Sequence, residues 1–117
     1  MGTPLEWLIV GGGIHGVHLA IALLRGAGIP PERLGILDPH ARLLQHWNCC
    51  TANTGMTTLR SPGVHHLDLD PKALFTFAKT SLGRQHPAPK GAFGRPSLAL
   101  FAAQNDALIT ECRLEKR

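Results

Sequence analysis

A glycine-rich turn between a short apolar run and a helical pattern constrains the fold most. It reads Gly-Gly-Gly-Ile-His-Gly over residues 11–16 and satisfies the spacing G-x-G-x-x-G. Residues 5–10 before it are mostly apolar, which predicts a strand buried on both faces of a parallel sheet. The apolar pattern over 14–24 predicts a helix lying against that sheet, with Gly26 and Gly28 marking its end.

A second strand is predicted after a proline-containing turn at residues 29–33. Residues 34–37 are apolar and end at Asp38-Pro39. Strand, glycine turn, helix and strand form a βαβ unit with a right-handed crossover. We therefore expect an α/β fold, a partial Rossmann-type three-layer arrangement in which helices follow the βαβ unit.

Each glycine of the motif has a task in binding a dinucleotide. Gly11 allows the tight turn out of the strand, Gly13 lets a pyrophosphate approach the backbone, and Gly16 lets the helix pack closely on the strand. Gly12 belongs to the same turn. The N–H groups of Ile14 and His15 lie at the positive end of the helix dipole and face the phosphates.

An acidic residue, Asp38, stands 22 residues after Gly16, at the end of the second predicted strand. A carboxylate there accepts hydrogen bonds from both ribose hydroxyls of an adenosine and repels a 2′-phosphate, so the site should not prefer NADP. The alternative interpretation is a glycine-rich loop in an unrelated α/β domain.

The residues after Asp38 resemble a known family, the FAD-dependent oxidoreductases with two dinucleotide domains, of the flavin monooxygenase and lysine/ornithine N-monooxygenase-like kind. Asp38 and Trp47 keep that family's spacing, although Gln45-His46 replace its glycines. Residues 54–68 resemble the family's segment that runs under the flavin ring, and residues 70–78 and 94–101 resemble its next two helices. The resemblance implies FAD as the cofactor. It assigns the following residues to the surroundings of the flavin: Trp47, Met56, Leu59 and Arg60. Trp47 could equally fill the core, and Arg60 could pair with a cofactor phosphate or a carboxylate, or be solvated.

The resemblance also implies a function for the complete protein, an NAD(P)H- and oxygen-dependent monooxygenase in which the flavin carries the chemistry. Complete members have a third parallel strand, a second glycine motif for NADPH and a C-terminal segment that closes the flavin site. The sequence has no second G-x-G-x-x-G motif. We therefore expect residues 1–117 to form one truncated N-terminal domain that is inactive alone, with no identified catalytic residue. The alternative function is a non-catalytic module that binds NAD or an adenine nucleotide as a sensor or scaffold.

The charge distribution and the cysteine content limit which partners the protein could bind and in which cellular compartment we expect it. The net charge of +4 comes from scattered Lys and Arg, not from the basic stripe that nucleic-acid binding requires. Three cysteines, two of them adjacent, do not form a disulfide framework, so we expect reduced thiols in a cytoplasmic protein. Glycines and histidines interrupt the apolar stretch 5–24, which argues against both a signal peptide and a membrane span.

A zinc site could be proposed from Cys49-Cys50 and His65-His66. The side chains of adjacent cysteines point in different directions, so we expect no metal.

Two later helices are predicted. The first has Asp70 as its N-cap and Pro71 at its first position, and the second runs from 97 to 113, after a Pro/Gly loop at 86–91. The resemblance implies that residues 113–117 stop about where a third strand would begin. We expect the sheet edge left open in that case to favour self-association.

Overall fold

The computed structural model describes residues 4–61, 63, 65–86 and 94–116. Two strands and four α-helices occur in these ranges: β1 Trp7–Val10, α1 Ile14–Ile21, β2 Leu34–Leu37, α2 Gln45–Asn53, α3 Ala73–Ala78 and α4 Leu98–Glu111. Short 3-10 or π turns occupy four further segments: Ala22–Gly26, Pro31–Arg33, Gly83–Gln85 and Leu114–Lys116. Most of the predicted Pro/Gly loop, residues 87–91, lies outside the described residues.

The sheet is a parallel pair, as the βαβ pattern predicts. Register runs from Trp7 opposite Leu34 to Val10 opposite Leu37. α1 follows β1 directly and precedes β2 in the chain. The described residues thus form a compact mixed α/β protein whose two strands are joined through a helix.

The main core lies between one face of this sheet, α1 and α4. α1 contributes Val17, Ala20 and Ile21, all fully buried. Ile9 of β1 and Phe101 of α4 belong to the same buried cluster. α3 and α4 form a smaller buried cluster of Leu74, Ala78 and Leu100. Burial of these apolar faces stabilises helices that are too short to persist alone.

The prediction that β1 is buried on both faces is wrong. Only Ile9 is buried, whereas Leu8 is 56% and Val10 77% exposed, and Leu37 of β2 is 58% exposed. Successive strand residues point to opposite faces, so these three side chains share the face away from α1. The helices of the described residues cover only the face that carries Ile9. The face that carries Leu8 and Val10 has no helix on it in this part of the chain.

Helix boundaries differ from the predictions in three places. The first helix is α-helical only to Ile21, continues as a π turn to Gly26 and is followed by Gly28 at φ +69°. α3 begins at Ala73, because the carboxylate of Asp70 accepts the N–H of Lys72 at 2.9 Å in a turn and does not cap the helix.

The last helix ends at Glu111, earlier than the predicted 113, and begins at Leu98 after Ser97, where the predicted range starts. The hydroxyl of Ser97 accepts the N–H of Leu100, as an N-cap does. No helix of the described residues is long and apolar enough to cross a membrane.

Candidate cofactor site

The conformation of the glycine turn requires glycine at its first and last motif positions, Gly11 and Gly16. Gly11 adopts φ +113°, which L side chains rarely reach, and its N–H donates to the Leu37 carbonyl at 2.7 Å. A Cβ on Gly16 would overlap the Gly11 carbonyl oxygen and lie 2.9 Å from its carbonyl carbon. The first turn of α1 therefore packs directly on the end of β1, and neither glycine can be replaced without a shift.

The two middle glycines face different surroundings. Gly12 is buried, and a Cβ there would lie 2.8 Å from Cδ2 of Leu43. Its carbonyl also accepts the N–H of Leu44 at 2.8 Å, which fastens the turn to the loop after β2. A Cβ on Gly13 would meet no atom within 4 Å. Gly13 alone of this pair opens onto space that a ligand could fill.

The N-terminus of α1 offers hydrogen-bond donors to that space. α1 begins with the N–H of Val17 donating to the Gly13 carbonyl at 2.9 Å. The N–H groups of Gly13, Ile14 and His15 have no acceptor among the described residues. No acidic side chain lies in this first turn. Unpaired donors at the positive end of a helix dipole suit an anion such as a pyrophosphate.

Asp38 is bound to the glycine turn. Its Oδ2 accepts the Gly12 N–H at 2.7 Å, and its Oδ1 accepts the His40 N–H at 2.8 Å. Nδ1 of His40 lies 2.9 Å from the same Oδ1. The hydrogen bond from Gly12, and after it those from His40, stabilise the carboxylate and lower the pKa of Asp38.

The surface beside Asp38 is shallow. A depression of about 90 Å³ lies there, bordered also by Leu114 and Glu115 near the chain end. Its volume equals that of about three water molecules in the liquid. A ribose hydrogen-bonded to Asp38 would therefore lie largely on the surface.

A larger cavity, of about 650 Å³, opens beside the first turn of α1. It is bordered by residues from five segments of the chain: Ile14, His15, His18, Trp47, Met56, Leu59, Arg60, Ser61, His65, His66, Leu67, Asp68, Leu69, Pro71 and Phe101. Six of these were predicted from the sequence as cofactor-binding residues: Ile14, His15, Trp47, Met56, Leu59 and Arg60. The volume falls within the range of small-molecule sites.

Backbone hydrogen bonds position the far wall of the cavity. The N–H of Met56 donates to a carbonyl of α2 at 3.0 Å. The N–H of Leu59 donates to the Pro96 carbonyl at 3.0 Å. The N–H of Leu98 returns a bond to the Thr57 carbonyl at 2.9 Å, so this wall is tied to the start of α4.

An aromatic pair forms the floor of the cavity. Trp47 on α2 packs edge-on against Phe101 of α4, with ring centroids 5.9 Å apart. α2 was not predicted, because its sequence, QHWNCCTAN, has no apolar period. The burial of Trp47 and Thr51 against the core supports this helix instead.

Sequence analysis also missed His18 and Phe101 as cavity residues. A signal for His18 was present, since residues four apart share a helix face and Ile14 was already in the predicted set. Five predicted cofactor residues do not border the cavity: Gly11, Gly12, Gly13, Gly16 and Asp38. Gly16 packs against the Gly11 carbonyl, and Asp38 accepts the N–H of Gly12.

Metal coordination finds no support in the described ranges. No three His, Cys, Asp or Glu side chains there converge in a way that could hold an ion. Cys49 and Cys50 are exposed on α2, whereas His65 and His66 border the cavity.

Comparison of this chain with family models, curated proteins and solved structures found no match. What the site binds must therefore be inferred from its own chemistry. Along the surface, the carboxylate of Asp38 is followed by the unpaired N–H groups of the turn and then by the largely apolar cavity. This order suits an elongated ligand with a polar end, a central anionic group and an apolar end.

Proposed function

We propose that this chain binds FAD and is the FAD-binding part of a flavin-dependent oxidoreductase of the monooxygenase type, built on a partial Rossmann-type fold. One observation carries the proposal. Six residues chosen from the sequence as cofactor ligands, on three separate segments, border one cavity that starts at the N-terminus of α1.

The turn fits the pyrophosphate of a dinucleotide. Three N–H groups there have no described acceptor, and the space over Gly13 is empty to 4 Å. A Cβ at Gly13 would project into this space, which accounts for a glycine at a position whose φ of −85° any residue can adopt. Asp38 holds Gly12 in place and keeps lone pairs for the ribose hydroxyls.

The cavity fits a flat, mainly apolar ring system. Trp47, Met56 and Leu59 supply apolar surface, and Arg60 supplies a cation at the border. A bound flavin would supply hydride and electron transfer between a nicotinamide nucleotide and oxygen. The described residues would hold the ring, orient it and exclude water from one of its faces.

The second nucleotide site lies outside what this sequence encodes, because no second glycine motif occurs. We therefore assign NADPH binding and catalysis to the complete protein and only cofactor binding to these 117 residues. The cysteine usage supports a cytoplasmic location, and we retain that location as part of the proposal.

Titration with FAD tests the proposal. Bound flavin absorbs near ~450 nm and its fluorescence changes on binding, whereas NAD is colourless. We expect saturable FAD binding that NAD does not displace at equal concentration. Binding of NAD or ADP without FAD would instead favour the nucleotide-binding sensor or scaffold. Absence of binding by all three would refute the dinucleotide site.

A further inference from the structure

Two histidines border the cavity with hydrogen bonds that define which ring nitrogen carries the proton. Nδ1 of His18 lies 2.6 Å from the carbonyl oxygen of Leu67. A carbonyl oxygen only accepts, so Nδ1 of His18 must carry the hydrogen. In the neutral ring, Nε2 is then an acceptor. Nε2 has no partner among the described residues.

His66 has the opposite arrangement. The N–H of Asp68 donates to Nδ1 of His66 at 3.2 Å, so Nδ1 is an acceptor. Nε2 then carries the hydrogen and donates to the Pro71 carbonyl at 3.0 Å. Both ring nitrogens of His66 are engaged within its own loop, and neither is available to a ligand.

The residue that holds His18 is buried. Leu67 is 1% exposed and belongs to the main core, and its carbonyl is the acceptor for the imidazole. His18 lies on α1, one helical turn after the residues whose N–H groups face the proposed phosphate site. The rings of His15 and His65 have no hydrogen-bond partner in the described part of the chain and are not fixed in one tautomer.

Arg60, the N–H groups of α1 and Oδ1 of Asp68 differ from His18 in what they offer a ligand. Arg60 and the N–H groups of the first turn of α1 are donors. Oδ1 of Asp68 already accepts the N–H of Leu69 at 2.8 Å and lies 3.5 Å from Nη1 of Arg25. His18 therefore provides an oriented neutral acceptor at the cavity.

We propose that His18 is a positioning residue for the cofactor, held as the Nδ1–H tautomer by Leu67, with Nε2 accepting a hydrogen bond from an N–H or O–H group of the flavin or its ribityl chain. This inference rests on the proposed FAD site. The neutral ring favours ligands that present a donor at this point over ligands that present an anion or a carbonyl.

The tautomer is tested without any cofactor. Long-range ¹H–¹⁵N NMR of the full chain, at about pH 8, distinguishes the protonated from the unprotonated ring nitrogen. We expect Nδ1–H for His18 and Nε2–H for His66. An Nε2–H tautomer at His18 would overturn the inference, whatever FAD does.

The acceptor role is tested by adding FAD to the wild type and to two matched variants. FAD should shift the Nε2 resonance of His18 more than that of His66. His18→Leu should bind FAD about five- to tenfold more weakly, as expected for one lost hydrogen bond. His66 also borders the cavity, but both of its ring nitrogens are already engaged, so His66→Leu removes no free acceptor and should lose less affinity than His18→Leu.

Three outcomes contradict the acceptor role. Wild-type affinity in a folded His18→Leu variant would exclude a contact with the ligand. Equal losses in His18→Leu and His66→Leu would reduce His18 to a structural anchor of the loop. An unshifted Nε2 signal with FAD bound would refute the contact while leaving the proposed function intact. Separately, failure of the wild type to bind FAD would refute both the contact and the proposed function.

Discussion

Replacement of Gly16 by alanine should destabilise the fold, whereas the same change at Gly13 should not. At Gly16 the new Cβ would overlap the carbonyl oxygen of Gly11, and this oxygen is backbone. The carbonyl cannot rotate away freely, because Gly11 adopts φ +113° and its N–H is bonded to Leu37. The helix must therefore move away from the strand.

The magnitude follows from the neighbours of the added methyl group. Overpacking of a core position costs typically about 1–3 kcal/mol, and an obstacle made of backbone lies at the upper end. We expect Gly16→Ala to lower the unfolding free energy by about 2–4 kcal/mol, which corresponds to a melting temperature lower by roughly 8–16 °C in a domain of this size.

Gly13→Ala is the matched control. Its Cβ would meet no atom within 4 Å, and φ −85° is ordinary for alanine. The stabilisation from a less flexible unfolded chain, about 0.4–1 kcal/mol, offsets the weaker N-cap preference of alanine. We expect the two unfolding free energies, wild type and Gly13→Ala, to agree within about 0.5 kcal/mol.

Urea denaturation followed by circular dichroism measures both variants. Equal m-values would show that the change lies in stability and not in the extent of unfolding. A Gly16→Ala loss below about 1 kcal/mol would show that the helix does not pack on the turn as described. A Gly13→Ala loss as large as that of Gly16→Ala would equally refute the distinction between the two positions.

The remaining predictions concern binding, pH, turnover and association. Gly13→Val should keep the wild-type melting temperature yet lose about 100-fold in FAD affinity by titration, since its side chain occupies the pyrophosphate space; equal affinities would place the phosphates elsewhere. Asp38→Ala should weaken FAD binding about tenfold. Because the pKa of Asp38 is lowered from 3.8 on folding, its contribution to stability is present above the unfolded-state value and is lost as pH falls through the folded-state value. The stability difference between wild type and Asp38→Ala should therefore shrink in acid, and a difference unchanged by pH in urea titrations would contradict this. The FAD-loaded chain under air should oxidise NADPH no faster than free FAD, measured by NADPH absorbance. Val10→Lys, which places a charge next to the open strand edge, should reduce self-association in sedimentation equilibrium if copies pair there.

The local sequence pattern was sufficient to predict the βαβ unit. The apolar runs, the glycine spacing and Gly26 and Gly28 all act within a few residues, and the parallel pair and its helix are confirmed. The same pattern was misleading about burial. A continuously apolar strand indicates two covered faces, yet Leu8 and Val10 are exposed, because burial depends on layers that neighbouring residues do not specify.

The second half of the chain was harder to predict for a related reason. The sequence of α2 has no apolar period. Asp70 is of a residue type that commonly caps helices, but it forms a turn three residues before α3. Contacts of Trp47 and Thr51 with the core override the weak local preference of α2, whereas Asp70 is engaged in a local turn with Lys72. The residues assigned to the cofactor beyond the glycine turn remain predictions, although Trp47 and Met56 do border one cavity.

The sequence by itself determined where the chain must turn and which residue types could receive a dinucleotide, because a positive φ at Gly11 and the lack of a Cβ at Gly16 are local requirements. Only the tertiary structure decided that α2, the loop around Leu67 and the start of α4 meet at the N-terminus of α1 and enclose a cavity. It also decided the tautomer of His18, since the acceptor at Leu67 lies 49 residues away in the chain. Contacts at that separation depend on how the intervening elements pack, and no local pattern of residues encodes them.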